Sequence, residues 1–188
     1  MTVHLSKGQT AKLDIAAPFV LVGFGWDCGR EFAIDASAFI CAINGHVRSD
    51  EDFVFYGNLD WNDRTIWSTG VCYCSEINDD EAIYVDFNRL PEWVDKIVFT
   101  ITIYDAKNRR QTFGQIGSMY VRVARAQNEF DAVGENMVRF DIVKGLTDET
   151  ALVVCELCRN NNEWEMKAIA DGNQGDLEMM CQKYGVLV

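Results

Sequence analysis

The run Lys96-Ile97-Val98-Phe99-Thr100-Ile101-Thr102-Ile103-Tyr104 is apolar or β-branched at both alternate sets of positions. Successive side chains of a strand point to opposite faces. A strand of this composition is therefore buried on both faces and belongs in the middle of a sheet, with material packed above and below it. That requirement points to layered β structure. Other short runs agree: Phe19 to Phe24, Ala36 to Ile43 ending at the turn pair Asn44-Gly45, Asp52 to Tyr56, Ala82 to Phe87, Ser118 to Ala126, Asn136 to Val143, Ala151 to Cys158 and Glu163 to Ala170. Asn160-Asn161-Asn162 reads as the hairpin loop between the last two.

Helix signals are few. Leu90 to Val94 reads as a short helical turn with Pro91 near its first position. Asp176 to Tyr184 is clearer, because Leu177, Met180, Cys181 and Tyr184 make one apolar stripe at i, i+3, i+4 and i+7, with Gly185 after it. The fold predicted is all-β: a β-sandwich of two packed sheets with a short C-terminal helix. The chain has 188 residues, 48% of them apolar, and only two prolines. No Ser/Gly-rich linker interrupts it, so a single domain over 1–188 is expected.

The formal net charge is −12. A chain this acidic offers no basic face to neutralise phosphate, which argues against nucleic acid and anionic lipid as direct partners. The segment Met1 to Lys7 lacks a charged stretch followed by an apolar one, and no apolar run approaches the about 20 residues of a membrane helix. A cytoplasmic protein without membrane insertion is expected. Seven cysteines, an odd number, fit free thiols in a reducing compartment.

Asn78-Asp79-Asp80-Glu81 places three carboxylates and an amide in a row between two strand-like runs. Carboxylates crowded this closely repel one another unless a cation sits among them, and hard oxygen ligands suit Ca²⁺. A second acidic strand end, at Asp35, lies upstream. If the two segments meet, they make a calcium site. If not, Asp79 to Glu81 is a solvated turn and Asp35 caps a strand end.

Longer strings make the resemblance specific. Val20-Leu21-Val22-Gly23-Phe24-Gly25-Trp26-Asp27, Ile34-Asp35-Ala36-Ser37-Ala38-Phe39, Gly45 to Tyr56, Asp79-Asp80-Glu81, Val94 to Phe99, Ile103-Tyr104-Asp105-Ala106 and Arg110 to Gln115 follow in order along the chain. So do Glu149-Thr150-Ala151, Glu163-Trp164 and Tyr184-Gly185-Val186. Together they resemble the tellurium-resistance TerD family over nearly the whole chain. The resemblance implies a β-sandwich and Ca²⁺ held by loops at one end of it. It also implies a non-enzymatic cytoplasmic role in resistance to tellurite and other chemical or phage stress, alongside other proteins of a membrane-associated resistance complex.

Family members carry a loop resembling Gly-Asp-Asn-x-Thr-Gly-x-Gly-x-Gly-Asp-Asp-Glu. Here the corresponding stretch is Thr69 to Glu81, whose end matches and whose front does not. The Asp-Asn pair and most glycines are gone, and Val71 to Cys74 reads as strand or packed loop. Upstream, Ala33 stands where the family commonly has a carboxylate. The expected ligands are Asp27, Asp35, Asn58, Asp79, Asp80 and Glu81, with Asp105 a weaker one.

Two further readings stay open. In one, the chain is an interaction or scaffold protein of the same fold with little calcium affinity, docking partners through Trp61, Trp67 and the Cys72/Cys74 segment. In the other, Cys72 and Cys74, which face the same way if extended, sequester a soft metal or metalloid. Cys155 and Cys158 have dithiol spacing, but a strand turns residues three apart to opposite faces. Lys107, Arg109 and Arg110 form the densest positive spot.

Overall fold

The computed structural model describes the chain apart from residues 1, 17, 18, 30, 72–78, 129, 130, 132, 143, 144, 162 and 188 and the side chain of Val71. In chain order the strands are β1 (Val3–Leu5), β2 (Thr10–Lys12), β3 (Phe19–Trp26), β4 (Ile34–Cys41), β5 (Phe53–Val54), β6 (Asp60–Trp61), β7 (Ile66–Val71), β8 (Glu81–Val85) and β9 (Lys96–Ile103). After the four-residue helix α1 (Ala106–Arg109) and a 3₁₀ turn at Phe113–Gln115 come β10 (Met119–Ala126), β11 (Glu135–Ile142), β12 (Ala151–Asn160) and β13 (Glu163–Asn173). Helix α2 (Leu177–Tyr184) closes the chain.

The strands form a seven-stranded sheet, order β1-β11-β10-β3-β8-β7-β6, packed on a six-stranded sheet, order β2-β13-β12-β9-β4-β5. Neighbours are antiparallel except β1 and β11, which run parallel. The doubly apolar run is β9, flanked by β12 and β4. Its Ile97, Phe99, Ile101 and Ile103 point into the space between the sheets. There Phe99 meets Phe24 of β3, with ring centroids 5.9 Å apart. Val98, on the opposite face, is buried beneath α2.

Helix α2 starts where the Asp176 carboxylate accepts the Met179 N–H at 3.0 Å, and ends at Gly185, whose φ of 85° suits a residue without a Cβ. Its stripe seats Met180, Cys181 and Tyr184 on Phe39, Phe53 and Val153. The outer face of the seven-stranded sheet carries a smaller cluster of Leu21, Trp67, Tyr84 and Ala124, with Trp67 and Tyr84 stacked at 4.9 Å.

Several expectations change. Leu90 to Val94 is a single turn closed by Val94 N–H to Pro91 O at 3.1 Å rather than helix. Val94 is fully buried and Asp95 N–H already bonds Cys41 O, so β4 draws the chain straight into β9. Strand β5 is shorter than predicted, while β12 and β13 run further, to Asn160 and Asn173. Trp61 and Trp67 are 7% and 4% exposed, and so are packing residues rather than a docking surface. The turn joining β6 to β7 places Asn62, Asp63 and Arg64 all in left-handed backbone, at φ 50°, 53° and 58°. Asp60 secures it by accepting the Arg64 N–H at 2.8 Å.

Candidate metal centre

At one end of the sandwich β3 finishes while β8 and β4 begin. Asp80 and Glu81 enter β8 there. Asp80 N–H donates to Phe24 O at 2.7 Å, and its carboxylate accepts the Trp26 N–H at 2.7 Å. Asp80 thus prolongs the β3–β8 ladder by one step. Glu81 is paired with Phe24, whose side chain faces the core, so it too points between the sheets. Its Oε2 accepts the N–H of Ala36 in β4 at 2.7 Å. Strand β5 pairs β4 only at Ala38 and Phe39, and Glu81 supplies the acceptor where that pairing has stopped.

These carboxylates feel one another. Burial pushes the Glu81 carboxyl up to about 7, with Asp35 and Asp80 adding to the rise and the Ala36 N–H opposing it. Burial also raises Asp35, and it raises Asp80 with Asp79 contributing. The Cys28 thiol is raised by burial and by the charges of Asp80, Glu31 and Asp27. Among the described residues, Asp35, Asp80 and Glu81 make no ion pair with Lys, Arg or His. Asp27 is exposed just past β3, its N–H bonded to Ser118 O and its carbonyl to Gly117 N–H.

Asp79 is placed differently. It is 5% exposed and holds Arg122 of β10: Nε lies 2.8 and 3.0 Å from the two carboxylate oxygens and Nη2 2.7 Å from Oδ2. Tyr120 OH donates to Oδ1 at 2.7 Å. Arg122 Nη1 donates to Val133 O and Asn136 Oδ1, both at 2.7 Å. Gly23 sits opposite Arg122 in the ladder, and a Cβ there would lie 2.1 Å from Asp79 Oδ2. The glycine leaves the space that the carboxylate fills. Burial and the Asp79 contact push the Tyr120 phenol up. Sequence reasoning missed Arg122, Tyr120 and Gly23. The readable signals were a glycine inside an apolar strand, which marks a close approach, and an arginine at an alternating position of another.

The remaining expected ligands are dispersed. Asn58 lies beside β5, donating to Phe53 O at 2.8 Å, and lines a groove of about 750 Å³ with Arg48, Asp52, Trp61 and Trp93. Asp105 precedes α1 and accepts from Asn108 Nδ2 at 2.7 Å. Cys72 and Cys74 lie outside the described residues. Cys155 is buried between the sheets while Cys158 stands half-buried beside Glu156, so the two do not form a dithiol site. Among the described residues no three His, Cys, Asp or Glu side chains stand close enough together to hold one ion.

The TerD domain model matches residues 1–184. The chain belongs to the TerD family. It is 41% identical to the tellurium resistance protein TerD of Serratia marcescens, over 99% of this chain and 98% of that one. It is 36% identical to the chemical-damaging agent resistance protein B of Clostridium acetobutylicum, over 76% of this chain and 99% of that one. The crystal structure of a TerD homologue, SCO6318 of Streptomyces coelicolor A3(2), has the same fold: TM-score 0.62 at 18% identity, covering 88% of this chain and 95% of that one. This TerD-family chain is thus a resistance and stress protein with the family's β-rich architecture.

The acidic end fits Ca²⁺ in donor chemistry, because Asp35, Asp80 and Glu81 are hard oxygen donors whose charges lack a basic counterweight among the described residues. It does not fit a closed side-chain cage, which would need about six to eight oxygens in convergence.

Proposed function

We propose that this TerD-family protein is a non-enzymatic Ca²⁺-binding protein serving resistance to tellurite and other chemical or phage stress. The ion belongs at the acidic end of the sandwich, with Asp80 and Glu81 as its principal ligands and Asp27 and Asp35 beside them. One observation carries this reading: Glu81, 6% exposed, is turned between the sheets at the end where Asp35 and Asp80 also lie, and among the described residues none of the three has a basic partner. A divalent cation supplies the positive charge that this cluster otherwise draws from a proton. Backbone carbonyls and water complete the shell, so the affinity falls toward the weak end of the calcium range.

The protein acts in the cytoplasm with other proteins of a membrane-associated resistance complex. No helix among the described residues is long and apolar enough to cross a membrane. The thiol reading concerns Cys72 and Cys74, which lie outside the described residues. Among the cysteines that are described, burial drives Cys41 up to about 12 and Cys158 and Cys181 to about 11.

Isothermal titration of the full chain with CaCl₂, beside its melting temperature, tests the calcium reading. Heat of binding and a rise in melting temperature are expected, both lost in Glu81→Gln. No heat and an unmoved melting temperature at millimolar Ca²⁺ overturn it.

A further inference from the structure

We infer that Asp79 is the fixed anchor of the acidic segment and not one of its ligands, and that Arg122 is a positioning residue that sets where Asp80 and Glu81 present their carboxylates. This rests on the calcium reading for its consequence, but not for its geometry.

The chain enters β8 at Asp79, Asp80 and Glu81, and each residue is fixed by a different part of the fold. Asp79 goes outward, to Arg122 and Tyr120 on the outer face of the seven-stranded sheet. Asp80 is held in the plane of that sheet by Phe24 and Trp26. Glu81 goes inward, to Ala36 of the other sheet. The Asp79–Arg122 pair is the most deeply buried ion pair among the described residues, with side chains 1% and 2% exposed.

Both oxygens of Asp79 receive charge-assisted hydrogen bonds, and the Arg122 guanidinium neutralises its charge. A calcium ion recruiting Asp79 would have to displace that cation and leave a buried guanidinium uncompensated. Arg122 also grips Val133 O, in the connection between β10 and β11, and Asn136, near the start of β11. The anchor is therefore tied to a second point of the fold, so it cannot swing with the acidic segment. Gly23 keeps the seat open.

The two roles for Asp79 predict opposite signs for Arg122→Gln. If Asp79 is a ligand, removing its competing cation frees a carboxylate and strengthens Ca²⁺ binding. The loss of a nearby positive charge acts in the same direction. If Asp79 is the anchor, the same substitution releases the segment and weakens binding, against the electrostatic trend.

The experiment is titration of CaCl₂ into the wild type, Arg122→Gln and Asp79→Asn, with the melting temperature of each calcium-free protein measured alongside. Tyr120→Phe, which removes a single hydrogen bond, serves if Arg122→Gln does not fold. Expected is a tenfold or greater loss of affinity in Arg122→Gln, a smaller loss of the same sign in Tyr120→Phe, and a double variant of Arg122 and Asp79 no worse than either alone. Unchanged affinity with a lowered melting temperature would reduce Arg122 to a structural role and overturn the inference, as would tighter binding.

If the wild type binds no calcium, the proposed function fails while the anchor stays testable. Amide hydrogen exchange at Asp80, measured without calcium, should accelerate at least tenfold in Arg122→Gln or, more mildly, in Tyr120→Phe. Exchange at the wild-type rate in both overturns the anchor.

Discussion

Glu81 of one sheet accepts the backbone N–H of Ala36 in the other at 2.7 Å, and so crosses the sandwich at its acidic end. The bond satisfies an amide beyond the reach of β5, yet it keeps a carboxylate where water hardly reaches. Its protonation is therefore linked to stability.

Free of divalent cations, the protein should lose stability as pH rises from about 4.5 to about 7. In the unfolded chain Glu81 releases its proton near the ordinary 4.5, whereas in the fold it does so only at about 7. Between these values the native state holds a proton that the unfolded state has lost, so the favourable contribution is complete below the lower value and gone above the higher. The loss is about 3 kcal/mol. Asp35 and Asp80 are shifted in the same direction and add to the slope. Urea midpoints at pH 5 and pH 8 in chelator measure it, and Glu81→Gln should flatten most of the difference.

Calcium should reverse that loss. A ligand bound only by the native state at about ten times its dissociation constant contributes about 1.4 kcal/mol. In a chain of this length that is a rise of about 3–5 °C in melting temperature. Differential scanning fluorimetry at pH 7.5, with and without CaCl₂, reads it, and Asp80→Asn should remove the rise.

Gly23→Ala should destabilise the fold by on the order of 3 kcal/mol, by pushing Asp79 from its seat and leaving Arg122 buried without its partner. Denaturant unfolding monitored by tryptophan fluorescence gives the value. A change under about 0.5 kcal/mol, the range of ordinary surface substitutions, would mean that Asp79 can move aside freely.

Asp176→Ala removes the side-chain cap of α2 and should cost about 1 kcal/mol. Hydrogen exchange within α2 should rise more than elsewhere, because the helix rests on its own cluster at the outer face of the six-stranded sheet.

The strands with strong apolar alternation, the central place of β9 and the helix after Asp176 were all legible in the sequence. So was the hairpin of β12 and β13, where Asn160 pairs with Glu163 and Asn161 takes a φ of 48°. Strands β1 and β2 were not legible. Each has three residues, mostly exposed, and exists only because a long strand offers it an edge. The left-handed turn at Asn62–Arg64 was hidden for a related reason: Asn62 and Asp63 tolerate such backbone, but Asp60 and the packing of Arg64 over Trp67 are what hold the third residue in it. At the candidate site, the acidic residues were visible as a string, but their division of labour was not. Asp79, Asp80 and Glu81 look equivalent in sequence. Their roles are separated by Arg122 and Ala36, which lie far away along the chain.

The opening strands have one more effect. Val3 pairs with Val138 in one sheet and Ala11 with Met166 in the other, so a single short stretch of chain belongs to both layers. Their partners, β11 and β13, lie far along the chain. Such long-range closure slows folding. The two edges stay open until β11 and β13 are in place, and the same stretch then fastens the two layers together along one side.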